Sequence, residues 1–128
     1  MDQPPKPIVL RNLFGPDTHF DALDWQPFRE GVEIFRIYGD PLEGPAAALL
    51  RYQPGARLAY HEHAAWEHIL ILSRSQCDAS GCNDAGTLVV NRPGSGHSVY
   101  NERGSIILAI WGQAVRFTNP PPAEADRP

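Results

Sequence analysis

The stretch RLAYHEHAAWEHILILS, residues 57–73, contains two β-type runs separated by a short corner. The first run covers residues 57–63 and ends on HEH, and the second covers residues 67–73 and contains the apolar segment ILIL. Short runs of this kind, bounded by turn residues, are typical of strands rather than helices. We therefore predict a strand at 57–63, a corner at 64–66 and a second strand at 67–73.

Further β-type runs lie on both sides of this stretch, and turn sequences such as GDPLEGP, PGA, RPGSG and ERG separate them. The runs are VEIFRIY (32–38), AALLRYQ (47–53), TLVVN (87–91), HSVYN (97–101), SIILAIW (105–111) and AVRFT (114–118). Nowhere does an apolar repeat at helical spacing persist. Many short strands with almost no helix predict an all-β fold, either an antiparallel barrel or a double-sheet jelly roll.

The chain of 128 residues is predicted to form one domain. We expect the barrel over residues 25–118. Residues 1–24 have no clear period and predict an extended arm with one short turn. Residues 119–128 are polar and rich in proline, which is typical of a disordered tail.

Charge and hydropathy exclude several classes of partner. The formal net charge is -4, and no basic face is visible that could bind the phosphates of a nucleic acid. The longest apolar stretches, ILIL and SIILAIW, are too short to cross a membrane. The N-terminal MDQPPKPIVL has an acid and three prolines where a signal peptide needs a basic start and an apolar segment. We predict a cytoplasmic protein.

The two cysteines, Cys77 and Cys82, are separated by DASG. Because no export signal is apparent, the pair is expected to be two reduced thiols beside a hairpin turn. A cross-strand disulfide or a redox switch is the alternative, since a tight turn can bring the two residues together.

Four residues form a candidate metal site. Side chains at i and i+2 of a strand share a face, so His61 and His63 present two imidazoles to one point. Glu67 begins the next predicted strand and brings a carboxylate there if the strands are adjacent. His97 opens a later strand after a glycine turn. Three imidazoles and one carboxylate suit a divalent first-row metal with coordination positions left open.

The glycine spacing around these residues resembles the first motif of the cupin superfamily, G-x5-H-x-H-x3/4-E-x6-G. Here Gly55 is followed by five residues, the two histidines of HEH, three residues and Glu67. Arg74 stands where the closing glycine is expected.

The second motif of that superfamily, G-x5-P-x-G-x2-H-x3-N, also has a counterpart. Gly86, Gly94, His97 and Asn101 follow the expected intervals, and Arg92 replaces the proline. The resemblance covers roughly residues 45–112. It implies a cupin double-stranded β-helix, a jelly-roll barrel with its metal ligands inside.

Among cupins, the segments RYQPGARLAYHEH, WEHILIL and NRPGSGH are similar to the ChrR-like group. The founding member of that group joins such a cupin to an N-terminal zinc-binding anti-sigma domain. The N-terminal arm of this chain has neither the cysteines nor the helices of such a domain. The resemblance therefore implies the barrel and its metal site, but not a sigma-factor function.

Other residues close to the ligands are candidates for lining the cavity. His68 is expected to face outward or an interface, with a role as a base reached through a bulge as the alternative. Tyr60 and Tyr100 lie next to ligand strands and, with His68, are the candidate catalytic residues. Arg51, like the two tyrosines, is a candidate for lining the cavity. Asn101 is expected to have a structural role, and Trp66 and Trp111 are expected to be core or rim aromatics.

Two classes of function follow from such a site. The first is a metal-dependent enzyme acting on a small oxygenated molecule, either by dioxygenase chemistry at Fe(II) or by Lewis-acid chemistry at Zn(II), Mn(II) or Ni(II). The second is a non-catalytic sensor that uses its metal to capture a ligand or oxidant. A metal-free structural barrel is a third possibility. Single-domain cupins commonly pair, so we also expect a homodimer, with residues 5–14 laid on the partner's sheet.

Overall fold

The structure is a computed structural model that describes residues 3–118. Within that range a short 3-10 helix, Asp17–His19, precedes ten strands. The strands are β1 (Gln26–Arg29), β2 (Val32–Gly39), β3 (Ala46–Tyr52), β4 (Ala56–Glu62), β5 (Glu67–Asp78), β6 (Gly81–Asp84), β7 (Leu88–Asn91), β8 (Gly96–Asn101), β9 (Ser105–Trp111) and β10 (Arg116–Phe117).

All strand pairs are antiparallel, and they form one curled sheet in the order β1-β2-β3-β9-β5-β8-β4-β10. The twelve-residue β5 joins the two halves of the curl. Its first part pairs with β9 and β7, whereas its last residues pair with β6 and β8. The predicted all-β jelly-roll fold is confirmed.

Alternation along the strands divides the apolar side chains between two clusters. The inner cluster, on the concave side of the curl, includes Leu50, Ile71 and Ile107. The outer cluster includes Leu49 and is covered by the segment that precedes β1, whose Phe20 is only 3% exposed. The residues predicted to form an arm thus pack against the back of the barrel. Residues 119–128, the predicted tail, lie outside the described part of the chain.

The two cysteines correct one expectation. Cys77 in β5 and Cys82 in β6 lie directly opposite each other and form a disulfide, with 4.0 Å between their Cα atoms. The expectation of reduced thiols is therefore wrong. A tight turn explains the pairing, because the Ser80 amide donates to Asp78 Oδ1 at 2.8 Å and Gly81 takes a φ of 135°.

Arg74 occupies the position where the first cupin motif has its closing glycine, and its φ of 61° lies in the left-handed region that favours glycine. Its guanidinium pairs with Asp17 at 3.1 Å and donates to the Arg103 carbonyl at 3.1 Å. The side chain thus links the long strand β5 to the segment that covers the barrel. These contacts offset part of the strain that an arginine meets in this conformation.

Candidate metal centre

Three histidines meet at the inner face of the barrel. His61 in β4 lies opposite His97 in β8, and His63 follows directly after the end of β4. A register shift between Leu58 and His61 marks a bulge, which changes the direction of the side chains on this strand. The potential ligand atoms of the three imidazoles all lie within 4.8 Å of one another. The structure therefore brings together the three histidines that the sequence singled out.

Hydrogen bonds at the far side of each ring fix which nitrogen carries the proton. His61 Nδ1 lies 3.0 Å from the Ala59 carbonyl oxygen, and His97 Nδ1 lies 2.9 Å from Asp78 Oδ2. Both partners only accept hydrogen bonds, so both Nδ1 atoms carry the proton and donate. Each Nε2 atom then has a free lone pair that is available for a metal.

His63 has the same tautomer, because of the serine beside it. The Ser95 hydroxyl donates to the Arg92 carbonyl at 2.6 Å, and its oxygen lies 2.9 Å from His63 Nδ1. Since the hydroxyl proton is already donated to the Arg92 carbonyl, the Ser95 oxygen accepts a hydrogen bond from the N–H group at His63 Nδ1. His63 Nε2 is buried and has no hydrogen-bond partner among residues 3–118. An unpaired buried nitrogen is costly, and a divalent cation at this point would relieve that cost.

Glu67 lies next to this group at the start of β5. Its Oε1 atom is 3.2 Å from His63 Nε2, at an orientation that does not make a hydrogen bond, and it accepts a hydrogen bond from Asn91 Nδ2 at 2.8 Å. The carboxylate is therefore held beside His63 rather than pointing to solvent, but its oxygens lie outside the group of ligand atoms that the three histidines bring within 4.8 Å of one another. Three nitrogen donors and a neighbouring carboxylate are a set that fits zinc, iron or a similar divalent metal.

The electrostatics of the site favour a cation. Burial lowers the pKa of His61 to about 4, so this imidazole is neutral and able to bind metal at neutral pH. Burial opposes ionisation of Glu67, but the adjacent His63 imidazole in its protonated form and the hydrogen bond from the Asn91 amide outweigh burial and hold the Glu67 pKa below its usual value. The centre thus combines a neutral His61 imidazole with an ionised Glu67 carboxylate, and metal binding requires both of these states.

An apolar cavity adjoins the histidines inside the barrel and opens to solvent. His61, His97 and Glu67 form part of its wall, and Arg29 also lines it. Burial, together with the charge of Glu67, raises the pKa of the Tyr52 phenol above its usual value, so this group stays protonated. The remaining walls are mainly aliphatic and aromatic, with Phe28, Val32, Leu50, Leu58, Ile69, Val99, Ile107, Trp111, Val115 and Phe117.

The three candidate catalytic residues do not line this cavity. His68 is exposed and lies between Val90 and Ile110 on the opposite face of β5 from Glu67. The Tyr60 ring packs close to Gly96, and Tyr100 lines an open surface groove. The structure does not bring these three side chains together with the histidines.

The other candidates have structural contacts. Asn101 is buried, accepts hydrogen bonds from Ser105 at 2.6 Å and Gln76 at 3.3 Å, and donates to the Ala56 carbonyl at 3.2 Å. Its side chain therefore joins three parts of the barrel. Arg51 pairs with Asp21 and Glu33 on the outside, Trp66 is half exposed under the Arg92 guanidinium, and Trp111 is buried at the cavity wall.

Several residues near the centre have no signal in the sequence. Asp78 and Ser95 orient two of the histidines, and Arg29 and Tyr52 face the cavity. Their positions depend on strand register and on the bulge in β4, which spacing along the chain does not reveal.

The described residues contain no helix long and apolar enough to cross a membrane.

Comparison with solved structures places the fold among cupins. An acetylacetone dioxygenase from Acinetobacter johnsonii is 15% identical, with a TM-score of 0.69 over 94% of this chain and 86% of that chain. The structure of Rhodobacter sphaeroides SigE in complex with the anti-sigma ChrR matches at 23% identity, with a TM-score of 0.61 over 70% of this chain and 49% of that chain. An RmlC-like cupin from Ralstonia eutropha is 18% identical, with a TM-score of 0.64 over 74% of this chain and 66% of that chain.

These identities are low and establish the common fold alone. The chain spans 61% of another cupin-like Ralstonia eutropha protein and 66% of the RmlC-like one, which is less than two thirds of the length of each. No curated protein matches the sequence. The sequence model of the ChrR cupin-like domain, in contrast, matches residues 17–115, which is most of the chain. The resemblance inferred from the two histidine motifs is thereby confirmed, and the chain belongs to the ChrR cupin-like family.

Proposed function

We propose that this protein is a metal-dependent enzyme that acts on a small oxygenated molecule bound in the barrel. The observation that carries the proposal is the common orientation of three histidines, whose Nε2 atoms converge next to an apolar cavity that His61 and His97 line. His61, His63 and His97 would hold the metal, with Glu67 as the fourth ligand. Enzyme sites commonly combine an apolar cavity with a few converging polar groups.

When bound, the metal would supply a Lewis acid that polarises a substrate oxygen or, as Fe(II), the redox chemistry of a dioxygenase. The residues of the chain have separate tasks around it. Asp78 and Ser95 fix the orientation of His97 and His63 through their Nδ1 protons. Tyr52, kept protonated by burial, can donate a hydrogen bond into the cavity. The aliphatic walls exclude water and favour a substrate with an apolar body.

Dioxygenase-like chemistry is our first choice within this class. The Acinetobacter johnsonii acetylacetone dioxygenase has the same fold over 94% of this chain, and a three-histidine centre is present here. Fe(II) and Zn(II) are the metals that we expect first, with Mn(II) and Ni(II) as alternatives.

A sensor or regulatory module is the second candidate. Two observations favour it: the match to the ChrR cupin-like family, and the position of His68, Tyr60 and Tyr100 away from the cavity. A site with few proton-transfer groups is better suited to capturing a ligand than to acid–base chemistry. Recovery of a regulatory protein in a pull-down, without turnover of any substrate, would favour this candidate.

Metal analysis and oxygen uptake test the enzyme proposal. Protein purified without chelators is analysed for metal, loaded with Fe(II) and assayed for oxygen consumption with 1,2-dicarbonyl, 1,3-dicarbonyl and phenolic compounds. The proposal predicts uptake that disappears in His61→Ala and persists in His68→Ala, a matched substitution on the outer face. Iron-loaded protein that consumes no oxygen with any of these compounds would remove the dioxygenase assignment.

We also propose a homodimer. The outer face of the sheet exposes apolar side chains at Leu88, Val90 and Ile110 around His68, and Ile8 and Val9 of the preceding segment are exposed as well. Pairing of two copies through these surfaces would cover them. Gel filtration at two protein concentrations tests this, and a monomer at both would contradict it.

A further inference from the structure

The cavity has a cationic residue in its wall besides the metal-binding groups. Arg29 lies at the end of β1, and its guanidinium carbon is 4.4 Å from the centre of the Phe117 ring and 5.1 Å from that of Phe28. The ion pairs of the arginines within residues 3–118 are made by Arg51 and Arg74, not by Arg29. The guanidinium is therefore held by two aromatic faces while its donors remain without a carboxylate partner.

Arg29 is linked to the metal-binding groups by neighbouring side chains on two sides. The Phe117 ring that stacks on Arg29 also lies 5.6 Å from the ring of His61. On the other side, the buried Tyr52 phenol is close enough to both Glu67 and Arg29 for each charge to act on it. All of these residues line the same cavity. Arg29, His61 and His97 thus face one apolar space.

We infer that Arg29 binds the carboxylate of a small organic acid whose body occupies the cavity and whose second oxygen function reaches the metal centre. This inference rests on the proposed function, because it assigns the substrate class of the same site. Arginine matches a carboxylate with two parallel hydrogen bonds, which are stronger than those to a neutral oxygen. The aliphatic walls would pack against the carbon chain of the acid, and a metal held by the histidines would bind the oxygen atoms at the end opposite the carboxylate.

Two ligands that differ only in the carboxylate measure how much this group contributes to binding. In 4,6-dioxoheptanoate a 1,3-dicarbonyl is joined to a carboxylate, and 2,4-heptanedione has a methyl group in place of that carboxylate. Isothermal titration calorimetry of zinc-loaded protein measures binding of each without turnover. We expect the acid to bind at least about tenfold more tightly, given the strength of a charge-assisted pair.

Two variants test whether Arg29 is the source of this preference. Arg29→Gln is expected to lose the preference for the acid while binding the dione as before, and Arg29→Lys should retain part of it. Arg36→Gln is the control, because this exposed arginine also lies near Phe28, 6.0 Å from its ring, but does not line the cavity. An unchanged preference in Arg29→Gln, or the absence of any preference in the original protein, would overturn the inference.

Failure of the inference is distinguishable from failure of the proposed function. Protein that takes up no zinc would contradict the proposed function, and titration of the metal-free protein with heptanoate would then test Arg29 by itself. Weaker heptanoate binding in Arg29→Gln than in Arg36→Gln supports the inference, and equal binding in both contradicts it. Thermal unfolding of each variant checks that the barrel is intact.

Discussion

Replacing Asp78 by asparagine tests how the protein holds its metal ligands. Asp78 Oδ2 lies 2.9 Å from His97 Nδ1, and the two side chains are only 21% and 16% exposed. The hydrogen bond joins an ionised acceptor to an imidazole N–H in a partly dry environment, where such bonds are strong. Asparagine keeps the size of the side chain but removes the charge, and its single oxygen can replace only one of the two aspartate oxygens that accept from the Ser80 amide and from His97.

The expected loss follows from the role of this contact. A carboxylate behind a metal-binding histidine fixes its orientation and makes it a better donor, and removal of such partners lowers metal affinity about 10- to 100-fold. Because the single oxygen of asparagine can accept from His97 Nδ1 at the expense of the Ser80 contact, we expect about a tenfold loss for Asp78→Asn, equivalent to about 1.4 kcal/mol. Asp78→Ala, which removes the acceptor, should approach a hundredfold loss.

Competition with a chromophoric chelator at neutral pH measures the zinc affinity of each variant. Asp84→Asn is the control, because Asp84 lies in the same hairpin, is exposed, and faces Ser75 rather than a histidine. Circular dichroism should be the same for all three proteins. If Asp78→Asn and Asp78→Ala both bind zinc as tightly as the Asp84→Asn control, our account of how His97 is oriented is wrong.

Three further changes have defined outcomes. In metal-free protein the unfolding free energy should fall by on the order of 3 kcal/mol between about pH 6.5 and pH 4, because unfolded His61 gains a proton near its usual pKa whereas folded His61 does so only near 4. Urea unfolding checks this against His61→Gln, whose profile should be flatter. Removing the disulfide with Cys77→Ala and Cys82→Ala together should cost about 2 kcal/mol for a loop of this length, and a reductant that leaves the original protein equally stable would contradict it. Gly96→Ala places a methyl group 2.8 Å from the His61 carbonyl oxygen and against the Tyr60 ring, so the unfolding free energy should fall by about 1–3 kcal/mol in the same urea titration. The methyl group of the control Gly44→Ala meets no atom of residues 3–118 within 4 Å, so this variant should be as stable as the original protein.

The sequence was sufficient for most of the barrel. Runs of β-branched and aliphatic residues between turn sequences predicted β2, β3, β4, β7, β8 and β9 close to their bounds. The start of β5 was also predicted, but this strand continues to Asp78, five residues beyond its predicted end at residue 73. The sequence was not sufficient for β1 and β6, whose sequences QPFR and GCND have few residues that favour strands. β6 forms because the turn after Asp78 and the disulfide align it with β5, which are tertiary constraints.

The candidate site, like the barrel, could be predicted only in part from the sequence. The HEH pattern and the glycine-bounded His97 were enough to predict that three imidazoles converge. The bulge between Leu58 and His61 breaks simple alternation, so parity could not place Tyr60. Arg29 and Asp78 come to the centre through strand pairing across the barrel, and a single sequence has no pattern that specifies such pairing.

The most direct test of the central claim is X-ray absorption at the zinc edge of the metal-loaded protein. Our account predicts three imidazole nitrogens at about 2.0–2.1 Å, with one or more oxygens completing the shell. The imidazole signal should decrease in His63→Ala, because His63 Nε2 is a buried nitrogen with no hydrogen-bond partner in the described part of the chain. A spectrum with oxygen ligands alone, or one that is unchanged in His63→Ala, would contradict the account.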